Sequence, residues 1–209
     1  ETDKKDTLHL TCTEEPTEKS VVDKIIRKAK EKRWHVVNIE ENREKRKPRA
    51  PFITSTLQQS ASSRLGFAPS RTMMVAQKLY EAGHITYMRT DSTNLSKQAL
   101  GEISNVIEKK YGKDYVYIRT YSTKSKNAQE AHEAIRPTHA STLSAGSTPE
   151  QKKLYELIWK RTVASQMSDA EILRTKIVAN IETKEIPDFT ANGSRTLFPG
   201  WLLADEEGK

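Results

Sequence analysis

The sequence predicts a mixed α and β fold in which a mostly helical domain is inserted into a discontinuous β-rich domain. Apolar and polar residues alternate with period two near both ends of the 209-residue chain, as they do in half-buried strands. Between the ends, the apolar residues recur at helical spacing, and Pro48 and Pro51 mark the change. We therefore expect the β-rich domain to comprise residues 1–50 and 171–209, and the helical domain to comprise residues 51–170.

The first fifty residues predict a strand, a helix and a second strand. The alternation in DTLHLTCT predicts a strand over residues 6–13. A stripe of apolar residues in TEKSVVDKIIRKAKEKR predicts a helix with Thr17 as its N-cap. The stretch WHVVNIEENREKRKP is apolar at first and then charged. This pattern is typical of a strand that leaves the core towards solvent or a ligand.

The helical domain begins with two helices joined by a tight turn. STLQQSASSRLGF predicts a short helix of small and polar residues that ends at Gly66. SRTMMVAQKLYEAG predicts a second helix, with Ser70 as its N-cap and Gly83 just beyond its end. The pair is helix-turn-helix-like, although helical hairpins of this kind are common and indicate no function alone.

Two longer helices and a return to strands complete the chain. SKQALGEISNVIEKKYG predicts a helix capped by Ser96, and TPEQKKLYELIWKRTVASQM predicts one with Thr148 as cap and Pro149 in its first turn. LRTKIVANIE and DFTANGSRTLFPGW alternate with period two. Within the second of these, Asn192-Gly193 predicts a type I′ hairpin turn.

Composition limits the classes of function. The net charge is +7, and residues 51–170 hold most of the excess with 16 basic and 10 acidic side chains, which favours a polyanionic partner. The single cysteine, Cys12, excludes an intramolecular disulfide and a cysteine-based zinc cluster, and it suits a reducing cytosol. No apolar run is long enough for a membrane span. Because the chain begins at Glu1, we expect it to be a piece of something longer.

The stretch ITYMRTDSTN places Tyr87 two residues before Arg89. In an extended segment these two side chains point to the same side while Met88 packs behind them. A tyrosine that attacks phosphorus needs a base, or cations that stabilise the developing phenolate, and guanidinium matches phosphate geometry. Taken alone, however, the local pattern favours an ordinary tyrosine at a domain edge with a solvated arginine beside it.

A second polar cluster lies in QEAHEAIRPT, which gathers His132, Glu133 and Arg136. In a helical turn His132 and Arg136 are i,i+4 neighbours that could hold one phosphate jointly, with Glu133 off that face. A structural histidine beside a solvated ion pair is the alternative. Earlier in the chain, Arg64 and the hydroxyls of STLQQSASSRLGF form a surface that could donate to phosphate oxygens without reading bases.

Other chemistries have little support in the sequence. The five histidines are scattered, no HExxH motif occurs, and the contiguous Asp205-Glu206-Glu207 run is expected to be a solvated tail, so we expect no metal ligands in this chain. There is no GxxxxGK(S/T) loop for ATP and no nucleophile elbow for serine catalysis.

Taken together, the motifs resemble the type IA DNA topoisomerases, specifically the bacterial topoisomerase I group. The resemblance is carried by RAPFITSTLQQSASSRLGF, TMMVAQKLYEAGHITYMRTDSTNLS and AQEAHEAIRPT, and more loosely by LYELIWKRTVASQM and FTANGSRTLFPGW. The strings occur in family order and cover most of residues 49–201. ITYMRTDS and EAHEAIRP are long strings of low ambiguity, so the resemblance outweighs the alternative of a merely structural Tyr87.

The resemblance implies a role for each matching residue. Tyr87 matches the nucleophile that forms a 5′-phosphotyrosine and a free 3′-hydroxyl, an adduct that conserves the bond energy so that rejoining needs no ATP. Arg89 matches the arginine that supports Tyr87 and the scissile phosphate, and His132 matches a histidine implicated in holding that phosphate. Gln77 matches a position near the bound single strand, and Glu133 and Arg136 belong to the family string without an assigned chemical step. With the arginines considered above, the expected DNA contacts are Gln77, Arg64 and Arg136. The expected catalytic residues are therefore Tyr87, Arg89 and His132.

The resemblance also implies partners and missing parts. Family enzymes bind Mg²⁺ through an N-terminal TOPRIM domain that is not in this sequence, so we expect this chain to be the central arch and to be inactive by itself. Expected partners are single-stranded and negatively supercoiled DNA and the other domains of the same enzyme. We also expect a cytoplasmic, nucleoid-associated monomer with no membrane contact.

Three other functions remain open at this point. The chain could be a non-catalytic single-stranded DNA-binding module in which Tyr87 stacks on a base. It could be a tyrosine recombinase-like enzyme, which would leave a 3′-phosphotyrosine instead. It could also be a plain helical interaction domain, for which no DNA binding is expected even at low salt.

Overall fold

The structure is a computed structural model that describes residues 8–121 and 133–206. Within these ranges it contains five α-helices and one four-stranded sheet, which confirms the predicted mixed α and β class. Short 3-10 helices occupy Lys113–Tyr115 and Gly200–Leu203. The helices are α1 (Lys19–Glu31), α2 (Thr54–Leu65), α3 (Pro69–Glu81), α4 (Lys97–Tyr111) and α5 (Pro149–Ser165), and the strands are β1 (Thr11–Cys12), β2 (Trp34–Arg46), β3 (Ala170–Ile181) and β4 (Phe189–Phe198).

The chain divides into two compact units, and the first combines residues up to 45 with residues 171–197. Its sheet has the strand order β1-β4-β3-β2, and β1 pairs with β4 in antiparallel fashion. A small apolar cluster formed by Ile25 of α1 with Ile181 and Ile186 lies in this unit. The first unit therefore corresponds to the β-rich part of the fold.

Within the first unit, two predictions about strands and one about a cap are wrong. In the part of 6–13 that is described, only β1 is a strand, because it pairs solely with the start of β4 at the sheet edge. Asn192 and Gly193 lie inside β4, so they form no hairpin turn. The turn lies between β3 and β4, where Asn180 donates to the carbonyl oxygen of Ile186. Helix α1 begins at Lys19 after Glu18, so Thr17 is not its cap.

The second unit comprises residues 46–170 together with the described residues from 198 onwards. Helices α2, α3 and α5 pack on one another, and α4 packs on α5. The helices bury one continuous core that includes Phe52, Leu57, Leu79, Ile103 and Ile158. No helix of the described ranges is long and apolar enough to cross a bilayer.

Local signals account for most helix ends in this unit. The hydroxyls of Ser96 and Thr148 each accept a hydrogen bond from the helix that follows, which confirms both caps. Gly66 and Gly83 adopt positive φ at the ends of α2 and α3. Ser70 is not a cap, because Pro69 occupies the first helical position and starts α3 two residues earlier than predicted.

The segment after β4 belongs to the helical unit, whereas the sequence placed 171–209 in the β-rich domain. The indole of Trp201 donates to the carbonyl oxygen of Arg46 at 2.8 Å. Asp205 is 2% exposed and accepts from Arg64 at 2.7 Å. The expectation of a solvated tail is therefore wrong for Asp205, because the arginine draws this carboxylate into the core of the unit.

Candidate active site

The segment after α3 presents Tyr87 to solvent. The structure assigns no helix or extended strand to residues 85–96. The side chain of Tyr87 is 42% exposed and Arg89 is also exposed, whereas Met88 between them is 1% exposed. The alternation places the phenol and the guanidinium outside and fixes the intervening methionine in the core. The tyrosine is therefore available to a ligand and is not a core residue.

Thr54, the first residue of α2, holds the backbone on both sides of Arg89. Its hydroxyl donates to the carbonyl oxygen of Met88 at 2.8 Å and accepts from the amide of Thr90 at 3.0 Å. Its own amide donates to the carbonyl oxygen of Thr90 at 3.0 Å. One threonine thus satisfies backbone groups that a helix or a ladder would otherwise satisfy.

Thr86 fixes the backbone just before the tyrosine in the same manner. Its hydroxyl donates to the carbonyl oxygen of Ala134 at 2.6 Å and accepts from the amide of Arg136 at 2.9 Å. Its amide donates to the carbonyl oxygen of Arg136 at 2.9 Å. The structure therefore places the motifs ITYMRTDS and EAIRPT side by side, although they are almost fifty residues apart in the chain.

His132 precedes this second segment directly but lies outside the described residues. The described part of the motif, from Glu133 to Thr138, is not helical, so Glu133 to Arg136 do not form the helical turn that the sequence suggested. The segment instead forms isolated antiparallel bridges, with Ile135 opposite Phe52 and Pro137 opposite Ile85. The predicted role of His132 stays a prediction.

Glu133 and Arg136 form an ion pair that supports the second segment. One carboxylate oxygen of Glu133 accepts from Arg136 at 2.6 Å, and the other accepts from the backbone amide of Ser96 at 2.6 Å. Burial by itself would raise the pKa of Glu133, but the hydrogen bonds from Arg136 and Ser96 outweigh it and lower the pKa below its ordinary value. Arg136 also donates to the carbonyl oxygen of Pro137 at 2.9 Å, so the side chain of this arginine stabilises the local backbone.

Tyr80 on α3 contacts Tyr87, although it is not among the site residues predicted from the sequence. The two rings meet edge to face with their centroids 5.2 Å apart. Gln77 lies one helical turn before Tyr80 and donates to Glu81 at 2.7 Å, and so it shares this face of α3. The signal that could have found Tyr80 is its three-residue spacing from Gln77, because residues at that spacing are neighbours on a helix.

Arg64 does not face solvent as a DNA contact would. Its side chain is 12% exposed and binds both oxygens of Asp205, at 2.7 and 3.5 Å. Arg161 of α5 lies beside this pair, with its guanidinium carbon 4.3 Å from the centroid of the Phe52 ring. The DNA-binding predictions for Arg64 and Arg136 stay predictions, and the geometry gives both arginines carboxylate partners instead.

The described residues do not fit a bound Mg²⁺ ion. Over 8–121 and 133–206, no group of three or more histidine, cysteine, aspartate or glutamate side chains is placed to hold a metal. Hard cations such as Mg²⁺ need clustered oxygen ligands.

An exposed tyrosine and an exposed arginine on a hydrogen-bonded backbone are suited to contact a phosphate group, and comparison with known proteins identifies the family. The matching family is described as DNA topoisomerase, and the match covers residues 2–209. DNA topoisomerase 1 of a Synechocystis species is 50% identical over 182 residues, which cover 85% of this chain and 20% of that protein. DNA topoisomerase 1 of Helicobacter pylori is 52% identical over 165 residues, or 72% of this chain and 22% of that protein.

A solved structure agrees with these relatives. Full-length topoisomerase I from Thermotoga maritima matches with a TM-score of 0.77 and 35% identity, covering 93% of this chain and 33% of that chain. The chain therefore belongs to the DNA topoisomerase family, and the resemblance seen in the sequence is confirmed. It spans about a fifth to a quarter of the length of the curated relatives that it matches.

Proposed function

We propose that this chain is the tyrosine-bearing part of an ATP-independent type IA DNA topoisomerase, which cleaves and rejoins one DNA strand and relaxes negative supercoils. The observation that carries the proposal is the exposure of Tyr87 and Arg89 together on a backbone fixed by Thr54 and Thr86. Membership of the DNA topoisomerase family supports it.

The proposed reaction exchanges one phosphoester for another. The phenolic oxygen of Tyr87 forms a bond to phosphorus, the bond from phosphorus to the 3′ oxygen breaks, and the 5′ end of the strand remains attached to the tyrosine. The phenol loses its proton, and the leaving 3′ oxygen takes one up. Reversal of the same steps rejoins the strand without ATP, because no phosphoester is lost to water.

Arg89 and His132 are proposed to stabilise the charge that develops on the attacked phosphate. The guanidinium of Arg89 can offer two parallel donors to phosphate oxygens, and no described side chain pairs with it in the structure. His132 directly precedes Glu133, whose segment is bonded to Thr86. Arg89 is thus two residues from the tyrosine in the chain, and His132 is next in sequence to a residue of the segment that bonds to Thr86.

The remaining parts of the reaction are proposed to come from other domains of the same enzyme. A TOPRIM domain would bind Mg²⁺, which supplies positive charge at the phosphate, and it would complete the active site. The 209 residues alone are therefore proposed not to cleave DNA at a useful rate. Single-stranded DNA is the proposed substrate, and underwound DNA provides such sites, which accounts for relaxation of negative supercoils. A nucleoid-associated monomer in the cytoplasm is part of the same proposal.

The test is trapping of the covalent adduct. The chain is mixed with a separately made TOPRIM-containing piece, Mg²⁺ and a single-stranded oligonucleotide labelled at its 3′ end, and denatured protein is examined for label. We expect labelled protein from the wild type and from Tyr117→Phe, a control at another exposed tyrosine, but none from Tyr87→Phe.

Each other outcome contradicts the proposal in a different way. Label retained by Tyr87→Phe would remove Tyr87 as the nucleophile. Adduct detected only with a 5′-end label would indicate a 3′-phosphotyrosine, as in tyrosine recombinases. Binding of the oligonucleotide with no adduct at all would favour a non-catalytic single-stranded DNA-binding module.

A further inference from the structure

A pocket of about 180 Å³ lies beside the start of α2. Its polar lining has side chains that can donate hydrogen bonds and includes no carboxylate: Arg49, Thr56, Gln59, Ser60, Thr93 and Arg161. Since one water occupies about 30 Å³ of liquid, the pocket has room for several waters or for one tetrahedral oxyanion. Its chemistry therefore suits an anion.

Arg161 lacks the partners that a buried arginine needs. It is 4% exposed, and its Nη2 atom is buried without a hydrogen-bond partner among the described residues. Its Nε atom lies 3.9 Å from Asp205, which is too long for a hydrogen bond, and that carboxylate is already bound by Arg64 at 2.7 Å. Buried charged donors are normally satisfied, so this guanidinium indicates a ligand that the described residues do not supply.

Positive charge accumulates around Arg161. The pKa of Arg161 is lowered to about 10, mainly by burial; the charges of Arg64 and Arg49 act in the same direction, and Asp205 opposes them. Arg64 and Arg161 thus share the carboxylate of Asp205, and Arg49 adds a third positive charge near Arg161. An anion in the pocket would relieve this repulsion and would also accept hydrogen bonds from the buried guanidinium.

The amino-terminal end of α2 also lines the pocket. Ile53 precedes the helix and Thr56 lies in its first turn, and both line the pocket. The first turn of this 12-residue helix has no acidic side chain. The positive end of the helix dipole therefore adds to the arginine charge in favouring an anion.

The pocket is built from the segments that hold the tyrosine. Thr93 lies six residues after Tyr87, and Thr54, which opens α2, is bonded to the backbone on both sides of Arg89. Arg49 and Gln59 are exposed, so a ligand can reach the pocket from solvent. These connections favour an anion that belongs to the same ligand as the phosphate at Tyr87.

We infer that this pocket binds a second backbone phosphate of the single DNA strand, distinct from the phosphate that Tyr87 attacks. The inference rests on the proposed function, because that function supplies the strand. Arg161 and Arg49 bind the phosphate oxygens, the hydroxyl of Ser60 and the amide of Gln59 complete the hydrogen bonds, and no base is read. The site fixes where the strand lies relative to Tyr87.

Two variants at exposed positions test the inference without disturbing the core. Arg49→Gln removes one positive charge from the pocket mouth, and Gln59→Glu places a carboxylate there that can pair with the unsatisfied guanidinium of Arg161. Arg195→Gln is the matched control. It also removes one exposed arginine, but from β4, which is far in sequence from Arg49 and Gln59. Binding of a fluorescent oligothymidylate is measured by anisotropy from low to moderate salt, and thermal unfolding is measured in phosphate and in chloride at equal ionic strength.

Phosphate is expected to raise the unfolding temperature of the wild type and of Arg195→Gln, but not of Arg49→Gln. Arg49→Gln is expected to weaken oligonucleotide binding about tenfold at low salt and to reduce the slope of log K against log salt by about 0.7, the value for one lost single-strand phosphate contact. Gln59→Glu is expected to weaken binding and also to raise the unfolding temperature, a combination that misfolding would not produce.

The outcomes separate this inference from the proposed function. If the wild type forms the Tyr87 adduct but Arg49→Gln binds the oligonucleotide as the control does, the pocket is not a strand site. If phosphate stabilises the wild type but Arg49→Gln binds the oligonucleotide as tightly as the wild type does, the pocket binds free phosphate only and the inference is overturned. If no adduct forms but Arg49→Gln still weakens oligonucleotide binding, the proposed cleavage function is contradicted, whereas the inference that the pocket binds a phosphate of the strand is supported.

Discussion

Replacement of Glu133 by glutamine tests whether the Glu133–Arg136 pair holds together the two segments that form the candidate site. The carboxylate accepts from Arg136 and from the backbone amide of Ser96, and the structure bonds the following residues to Thr86. Glutamine has nearly the same shape but only one acceptor oxygen and no charge. The variant therefore removes the ion pair while it leaves the packing in place.

The expected loss of stability follows from the exposure of the pair. A hydrogen bond to a charged group contributes about 1.5–3 kcal/mol, against about 1 kcal/mol for a neutral one. The side chains of Arg136 and Glu133 are 13% and 28% exposed, so solvent screens the pair only in part. We expect the free energy of unfolding to fall by about 2 kcal/mol. With a urea dependence of about 2 kcal/mol per molar, the midpoint should move down by about 1 M.

Urea unfolding followed by circular dichroism measures this change, and its pH dependence gives a second check. The pKa of Glu133 is lowered in the folded state from its ordinary value of 4.5. The stabilisation from a lowered acid is therefore present above the ordinary pKa and is lost as the pH falls through the folded one. The difference between wild type and Glu133→Gln should be complete at pH 7 and should shrink below about pH 4.5.

A double-mutant cycle with Arg136→Gln decides between the structural role and the DNA-binding role of this arginine. For a structural pair, the double variant should be little less stable than either single variant. The reasoning is refuted if Glu133→Gln leaves the urea midpoint unchanged while Arg136→Gln weakens oligonucleotide binding with no loss of stability. In that event Arg136 would be the DNA contact that the sequence predicted.

Two further predictions concern the tyrosine and a glycine. Tyr80→Leu removes the edge-to-face contact with Tyr87, for which about 0.5–1.5 kcal/mol is typical, so the rate of adduct formation should fall severalfold; an unchanged rate contradicts a positioning role. Gly200→Ala should destabilise the fold by more than about 2 kcal/mol, because φ is +51° and a Cβ would overlap two backbone carbonyl oxygens. Gly66→Ala, at φ +69° with nothing within 4 Å of the new Cβ, should lower the free energy of unfolding by only about 1 kcal/mol. Urea unfolding measures both variants, and equal losses of stability for Gly200→Ala and Gly66→Ala would contradict the prediction.

Helix positions were predictable because their signals are local. The caps at Ser96 and Thr148 act on amides three residues away, and the apolar spacing of α3, α4 and α5 lies within single stretches of sequence. Strand boundaries were not predictable in the same way, because pairing depends on distant residues. The Asn192-Gly193 dipeptide favours a turn by itself, yet the partner strands keep it inside β4.

For the candidate site too, features that depend on adjacent residues were predictable from the sequence, and features that depend on distant residues were not. Alternation about Met88 predicted that Tyr87 and Arg89 face outwards, and this depends only on adjacent residues. The contact of Tyr80 with Tyr87 depends on how α3 packs against the segment that follows it. No local pattern indicated that Asp205 would be buried against Arg64, because those residues are 141 positions apart.

The arginines of the helical unit divide according to their partners, and this division bears on function. Arg64 and Arg136 are held by carboxylates, so transfer to a DNA phosphate would require each to exchange an existing charge-assisted hydrogen bond for a new one. Arg89 and Arg49 are exposed, and no described side chain pairs with either. Phosphate binding by these two breaks no internal bond, so its full electrostatic gain is available to the complex. Composition cannot make this distinction, since all four residues contribute equally to the net charge.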